Sequence, residues 1–282
     1  FVEICSNDMN ISLNGIKKAI NPRTKGIILT HYAGISAQIN EIMKIAKANN
    51  LIVIEDAAQA IYSKNKNKSL GTIGHFGILS FHQTKNIFCG EGGALLVNQR
   101  KFISRAHMVR EKGTNRNKFI EGKINKYNWV DIGSSFLPSS LQAAFLYDQL
   151  INGEMINNKR RLIFENYHKF FSKIKKNYNI KIPFIDPENE INGHFYWILV
   201  PRKMRNIFIK RAKLNLIELT SHFEPLHNTK AGKFYGKYYD NLNKTCLLSK
   251  EIVRIPIHTQ MTKSTQKQIL KILDKTIIEV FN

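Results

Sequence analysis

Leu51-Ile52-Val53-Ile54-Glu55-Asp56-Ala57-Ala58-Gln59 is the stretch on which the fold class turns. Its apolar run is short and rich in β-branched residues, the pattern of a strand buried on both faces. An acidic residue just past such a strand stands where open α/β sheets gather their ligands, at the carboxyl end of the strand. Asp56 also precedes Ala57-Ala58-Gln59-Ala60, so the plainer reading is a helix N-cap.

Outward from this strand the chain alternates. Residues 1–4 and 26–29 read as strands with a short helix over 13–20 between them. Ile39, Ile42, Met43 and Ala46 recur at helical spacing, with Ser36 a candidate N-cap. Residues 78–81 and 94–97 read as further strands. This order predicts a mostly parallel sheet with helices on both faces. A long helix starts near Pro138 and runs past Leu150. Beyond residue 160 the pattern becomes mixed: a strand over 195–200, a helix over 206–214 and a short strand over 254–257. Ile269, Ile272, Leu273, Thr276 and Val280 mark a last amphipathic helix. The expected organisation is a large α/β domain over 1–160 and a smaller α+β domain over 161–282.

Composition narrows the function classes. With 43% hydrophobic residues in 282, a sizeable core is available. Cys5, Cys89 and Cys246 are scattered without a C-x-x-C pair, which speaks against a disulfide framework or a zinc site and suits a reducing, cytoplasmic setting. No run reaches the ~18 apolar residues of a membrane span. The formal net charge of +22 suggests an anionic partner. Its lysines alternate with polar residues across the chain and form no basic stripe with interleaved aromatics. The expectation is therefore no nucleic-acid and no membrane partner, with at most an attraction for phosphate-bearing substrates. Phe1 opens the sequence mid-domain, which reads as the start of a fragment.

Lys85 is the second residue that suggests chemistry. It follows the strand over 78–81 in Ser80-Phe81-His82-Gln83-Thr84-Lys85-Asn86. A lysine in a dry pocket loses its charge readily and becomes a nucleophile; a surface lysine at a strand end is the bland alternative. Ser80 and Thr84 could offer hydroxyls to a phosphate. Gly90-Glu91-Gly92-Gly93 allows close backbone approach or simply a tight turn. His31-Tyr32-Ala33-Gly34 ends another strand. A lysine and an aspartate at two strand ends are the pair that pyridoxal 5'-phosphate (PLP) requires, one for its aldehyde and one for its ring nitrogen.

Together, His31-Tyr32-Ala33-Gly34, Glu55-Asp56-Ala57-Ala58-Gln59-Ala60, Ser80 to Asn86 and Gly90-Glu91-Gly92-Gly93 resemble the sugar aminotransferases of the DegT/DnrJ/EryC1/StrS family. The resemblance implies a PLP-dependent fold of type I, acting as a homodimer with active sites at the subunit interface. It implies Lys85 as the catalytic lysine and Asp56, Gln59, Ser80 and Ser135 as further cofactor contacts. His31, Tyr32 and His227 would lie on the substrate side. The runs 110–116 and 129–135 are similar to those of relatives acting on dTDP-keto-sugars. The implied reaction moves an amino group from L-glutamate to the 4-keto carbon of dTDP-4-dehydro-6-deoxy-glucose. The product would be dTDP-4-amino-4,6-dideoxygalactose, used in polysaccharides such as enterobacterial common antigen. Related dehydratases carry histidine where this chain has Lys85, which favours transamination. Two departures stand out. Ser135 takes a position where many relatives have an asparagine that reaches the neighbouring subunit's cofactor. The family's N-terminal segment, with a Gly-Thr/Ser phosphate cup and an aromatic residue over the ring, is not visible before Phe1, so weak retention of PLP is expected. Another nucleotide-activated keto sugar, or a silent remnant serving as a basic binding or dimerisation domain, remain the alternatives.

Overall fold

The computed structural model describes residues 1–221 and 224–282. In chain order, α1 (Leu13–Ala19), β1 (Gly26–Thr30), α2 (Ile39–Ala48) and β2 (Ile52–Asp56) come first. A small hairpin, β3 (Lys64–Asn65) and β4 (Lys68–Ser69), precedes β5 (Phe76–Ser80) and β6 (Gly93–Val97). Four helices follow, α3 (Ile103–Arg110), α4 (Arg116–Ile120), α5 (Ser140–Ile151) and α6 (Gly153–Ile174). The remainder is β7 (Tyr196–Leu199), α7 (Arg202–Leu214), α8 (Lys230–Tyr235), α9 (Asn243–Glu251), β8 (Ile252–Ile255) and α10 (Lys263–Phe281).

The central sheet has the order β1-β2-β5-β6. β1, β2 and β5 run parallel, and β6 pairs antiparallel with β5. The result is an α/β fold on a mixed, mostly parallel sheet. Period-two alternation sorts its side chains. Ile27, Leu29 and Val53 turn to the face where Ile16 of α1 and Ile39, Ile42 and Ala46 of α2 are buried. The opposite face carries Ile28, Ile78 and Leu95, all exposed.

A second core lies beyond α6. Phe164, Tyr167 and Phe171 of α6 pack with Phe208 of α7, Val253 and Ile255 of β8, and Leu273 and Ile277 of α10. β7, antiparallel to β8, is buried along its whole length. Tyr196 and Ile198 face this core, while Trp197 and Leu199 join Phe195 in a cluster with Met9, Ala33 and Ile35 from the first part of the chain.

Several local expectations need correction. Residues 1–4 form no strand; only an isolated bridge links Ile4 to Ile11. Ser36 does not cap α2: its N-cap is Gln38, without a side-chain bond, and the Ser36 hydroxyl donates to the Ala37 carbonyl instead. The strand over 52–56 is fully buried on one face only, and that face carries Glu55. The helix after Pro138 breaks at Asn152, and α6 continues for 22 residues. β8 ends before Pro256, which has no N–H to continue the ladder.

Candidate active site

The parallel register sets the site. Thr30 lies opposite Asp56, and Asp56 opposite Ile78, so Thr30, Asp56 and Ser80 share one sheet face at the carboxyl ends of β1, β2 and β5. No helix begins after Asp56, so the N-cap reading fails. Asp56 Oδ1 accepts the N–H of Ala58 at 3.1 Å, and its Oδ2 lies 3.5 Å from the Thr30 hydroxyl.

Lys85 stands half-buried in the turn after β5. Burial pushes its amine below the ordinary lysine value; Asp56 pulls it back up, and Arg254 pushes it further down. The amine and the Asp56 carboxylate therefore share one electrostatic pocket, and the lysine is held toward its nucleophilic form. The Ser80 hydroxyl accepts the His82 N–H at 3.4 Å. Gln59 Oε1 accepts the Ala33 N–H at 2.7 Å, tying the ends of β1 and β2 together. The glycine cluster is a turn: Gly90 and Gly92 carbonyls receive the N–H groups of Gln83 and Phe81. A Cβ at Gly90, whose φ is +86°, would meet nothing within 4 Å.

The residue after the lysine, Asn86, escaped the sequence reading. Its amide donates to Asn157 Oδ1 at 2.8 Å and to the Asn192 carbonyl at 3.1 Å, and its Oδ1 lies 2.9 Å from His194 Nδ1. All four residues are buried. An asparagine beside a candidate lysine is the only sequence signal for this clamp, and its partners lie 71 and more residues away.

His31 does not join the pocket. It is fully buried, with Nε2 2.9 Å from Glu55 Oε2 and Nδ1 accepting the Ala37 N–H at 3.1 Å. Both ring nitrogens are engaged on the far face of the sheet from Asp56, so a substrate contact is replaced by a structural one. Glu55 also accepts the N–H groups of Gly71, Ile73 and Gly74. Burial acts to raise its carboxyl, but bonds from His31, Gly74 and Gly71 outweigh this and hold it below the ordinary range. Tyr32 does reach the cluster. Its ring meets Phe195 edge-on at 5.5 Å, and burial drives its hydroxyl well above the usual value against the pull of Arg254. His227 is buried with Nε2 3.3 Å from Cys246 Sγ. With Thr30 and Tyr32 it borders a cavity of about 490 Å³. Ser135 is exposed and bridges to Glu111, away from these residues. Among the described residues, no group of three or more His, Cys, Asp or Glu could hold a metal.

This donor set fits PLP: an amine held toward neutrality, a carboxylate in the same pocket for the ring nitrogen, and a serine hydroxyl on the same sheet face for the phosphate. The comparisons with known proteins agree. Residues 1–274 match the DegT/DnrJ/EryC1/StrS aminotransferase family. An uncharacterized protein of Methanocaldococcus jannaschii is 31% identical over 99% of this chain and 74% of its own length. The UDP-4-amino-4,6-dideoxy-N-acetyl-beta-L-altrosamine transaminase of Helicobacter pylori is 26% identical over 96% of this chain and 70% of its own. Among solved structures, a DegT DnrJ EryC1 StrS aminotransferase from Brucella abortus superimposes with a TM-score of 0.86. It is 26% identical, over 98% of this chain and 72% of that one.

Proposed function

Because the chain belongs to the DegT/DnrJ/EryC1/StrS family of PLP-dependent aminotransferases, we propose that it transfers the amino group of L-glutamate to the keto carbon of a nucleotide-activated sugar. The leading substrate is dTDP-4-dehydro-6-deoxy-glucose, aminated at C4, with a product destined for a surface polysaccharide. The single observation that carries the reading is that Asp56 at the carboxyl end of β2 and Lys85 in the turn after the neighbouring β5 lie at the same edge of the sheet, near enough for the carboxylate to raise the amine's pKa against its burial. The finer choice of sugar rests on runs 110–116 and 129–135 of the sequence. A UDP-linked keto sugar is the second reading, favoured by the name of the Helicobacter pylori relative.

PLP, when bound, supplies an electron sink for the charge left as an α-proton departs. The remaining work falls to the chain. Lys85 would hold the cofactor and, once its amine is released by the incoming donor, would take the proton from the donor's α-carbon. Asp56 would keep a proton on the pyridine nitrogen. Ser80 would hold the phosphate and Gln59 would contact the ring. Tyr32 and His227 face the substrate, and Ser135 reaches toward a second copy in a homodimer. Residues 1–160 form the cofactor-binding part and 161–282 the smaller part, with α6 running through both. The protein acts in the cytoplasm; no helix among the described residues is long and apolar enough to cross a membrane.

The test is incubation of the PLP-loaded protein with L-glutamate and dTDP-4-dehydro-6-deoxy-glucose, reading 2-oxoglutarate and the amino sugar by NMR. Turnover should fall at least ~10³-fold in Lys85→Ala. Turnover with a UDP-linked keto sugar alone would move the assignment to the second reading. A protein that binds PLP yet aminates neither would defeat both.

A further inference from the structure

We propose that Asn192 is a positioning residue for the transfer reaction: it joins the loops that follow β1, β2 and β5 and, through Asn86, sets how deep the Lys85 amine sits. The inference rests on the aminotransferase reading above. Asn192 lies outside helix and strand, yet it is 1% exposed. Each of its polar groups serves a different neighbour. Nδ2 donates to the carbonyls of Gln59 and Ile61, both at 2.9 Å, in the loop after β2. Oδ1 accepts the His194 N–H at 3.0 Å. The backbone carbonyl accepts from Asn86 Nδ2 at 3.1 Å, in the turn after β5. The loop after β1 is met by contact. Gly34 there has a φ of +80°, and a Cβ on it would run into Asn192 Oδ1. Gln59 closes the ring of loops, its Oε1 accepting the Ala33 N–H at 2.7 Å.

The segment around Asn192 is itself held from α6. Arg160 donates to the carbonyls of Gly193 at 3.2 Å and His194 at 2.6 Å. Gly193 has a φ of +62°, and a Cβ there would come within 2.6 Å of the Arg160 carbonyl, so only glycine fits the approach. Asn86 ties to the same helix by donating to Asn157 Oδ1 at 2.8 Å. A buried amide whose partners sit on separate loops leaves donors and acceptors unmet if any loop moves away. The three loops therefore hold one arrangement. Each carries a residue of the proposed site: Tyr32 after β1, Gln59 after β2 and Lys85 after β5.

Two consequences follow for the lysine. Burial is the largest influence on its amine and pushes it below the ordinary value, while Asp56 from β2 pulls it up and Arg254 from β8 pushes it down. A turn that relaxes outward restores solvent to the amine, so its pKa climbs. The same relaxation takes the amine out of line with the donor's α-proton, and a misplacement of about 1 Å costs on the order of 10²-fold in rate.

Competitive acetylation of the full chain freed of PLP, with the Lys85 peptide read by mass spectrometry across pH, reports the amine's titration midpoint. Asn192→Ala and Asn86→Ala should each raise that midpoint toward the ordinary lysine value. Leu273→Ala, a destabilising change in the core beyond α6, should leave it in place. On the PLP-loaded protein, kcat should fall about 30-fold in each single variant while the KM for the keto sugar stays within ~3-fold. The double variant should lose little more than the worse single one, as members of one unit do. The midpoint is read without cofactor or sugar, so the inference stands or falls apart from the functional assignment. If Asn192→Ala does not fold, Asn86→Ala set against Leu273→Ala carries the test. A midpoint unmoved in the folded variants, one that Leu273→Ala moves equally, or kcat losses that multiply in the double variant would each overturn the proposal.

Discussion

Glu55 and Asp56 are neighbours in the chain and point to opposite faces of the sheet. One strand end thus supplies the pocket with a carboxylate on one side and its own scaffold on the other. Glu55 gathers three backbone N–H groups and His31 about a buried charge. Removing that charge leaves donors without an acceptor. Glu55→Gln should cost about 3 kcal/mol of stability at neutral pH, read as a fall in denaturation midpoint. The pH dependence has a definite sign. The folded carboxyl lies below its ordinary value. Its contribution is therefore complete above the unfolded pKa and is lost as pH falls through the folded one. The gap between wild type and Glu55→Gln should narrow as pH drops below the ordinary glutamate range. A gap that widens there would assign the stabilisation to another group.

The elements divide into those that local pattern specifies and those that distant partners specify. β1, β2, β5 and β6 were legible because branched apolar runs mark buried strands. Lys85 and Asp56 were legible because they end such strands. The antiparallel direction of β6 was not, since apolar content says nothing of strand sense. Ser36 has the chemistry of a cap, but its hydroxyl finds the Ala37 carbonyl and the Asn65 amide first. The resemblance put His31 on the substrate side; only the register reveals that it faces Glu55. Arg254 carried no signal at all, because its packing over Phe195 depends on the pairing of β7 with β8. α10 illustrates the legible kind: Leu273, on its apolar stripe, is fully buried against α6 and α7. Leu273→Ala should destabilise the protein by about 2–5 kcal/mol, measured by chemical denaturation.

Across the whole molecule, charge and apolar surface pull in opposite directions. Trp129, Ile132 and Leu141, which flank Ser135 in the sequence, are 77%, 78% and 85% exposed. Copies bearing +22 repel one another at low ionic strength. A homodimer built on this apolar surface should tighten with added salt as repulsion is screened, whereas binding to a polyanion should loosen. Sedimentation of the wild type and Leu141→Asp across a salt series reads the difference. The proposed dimer predicts salt-strengthened association that the substitution abolishes.

The Asn86 clamp has a bearing on how such proteins can be recombined. The loop bearing Lys85 takes its position from Asn157 in α6 and from the 192–194 segment. A chimera that inherits the nucleophile's strand from one parent and the later segments from another imports a tool without its vice. Crossovers between residues 86 and 194 should succeed only where both parents offer the same three grips.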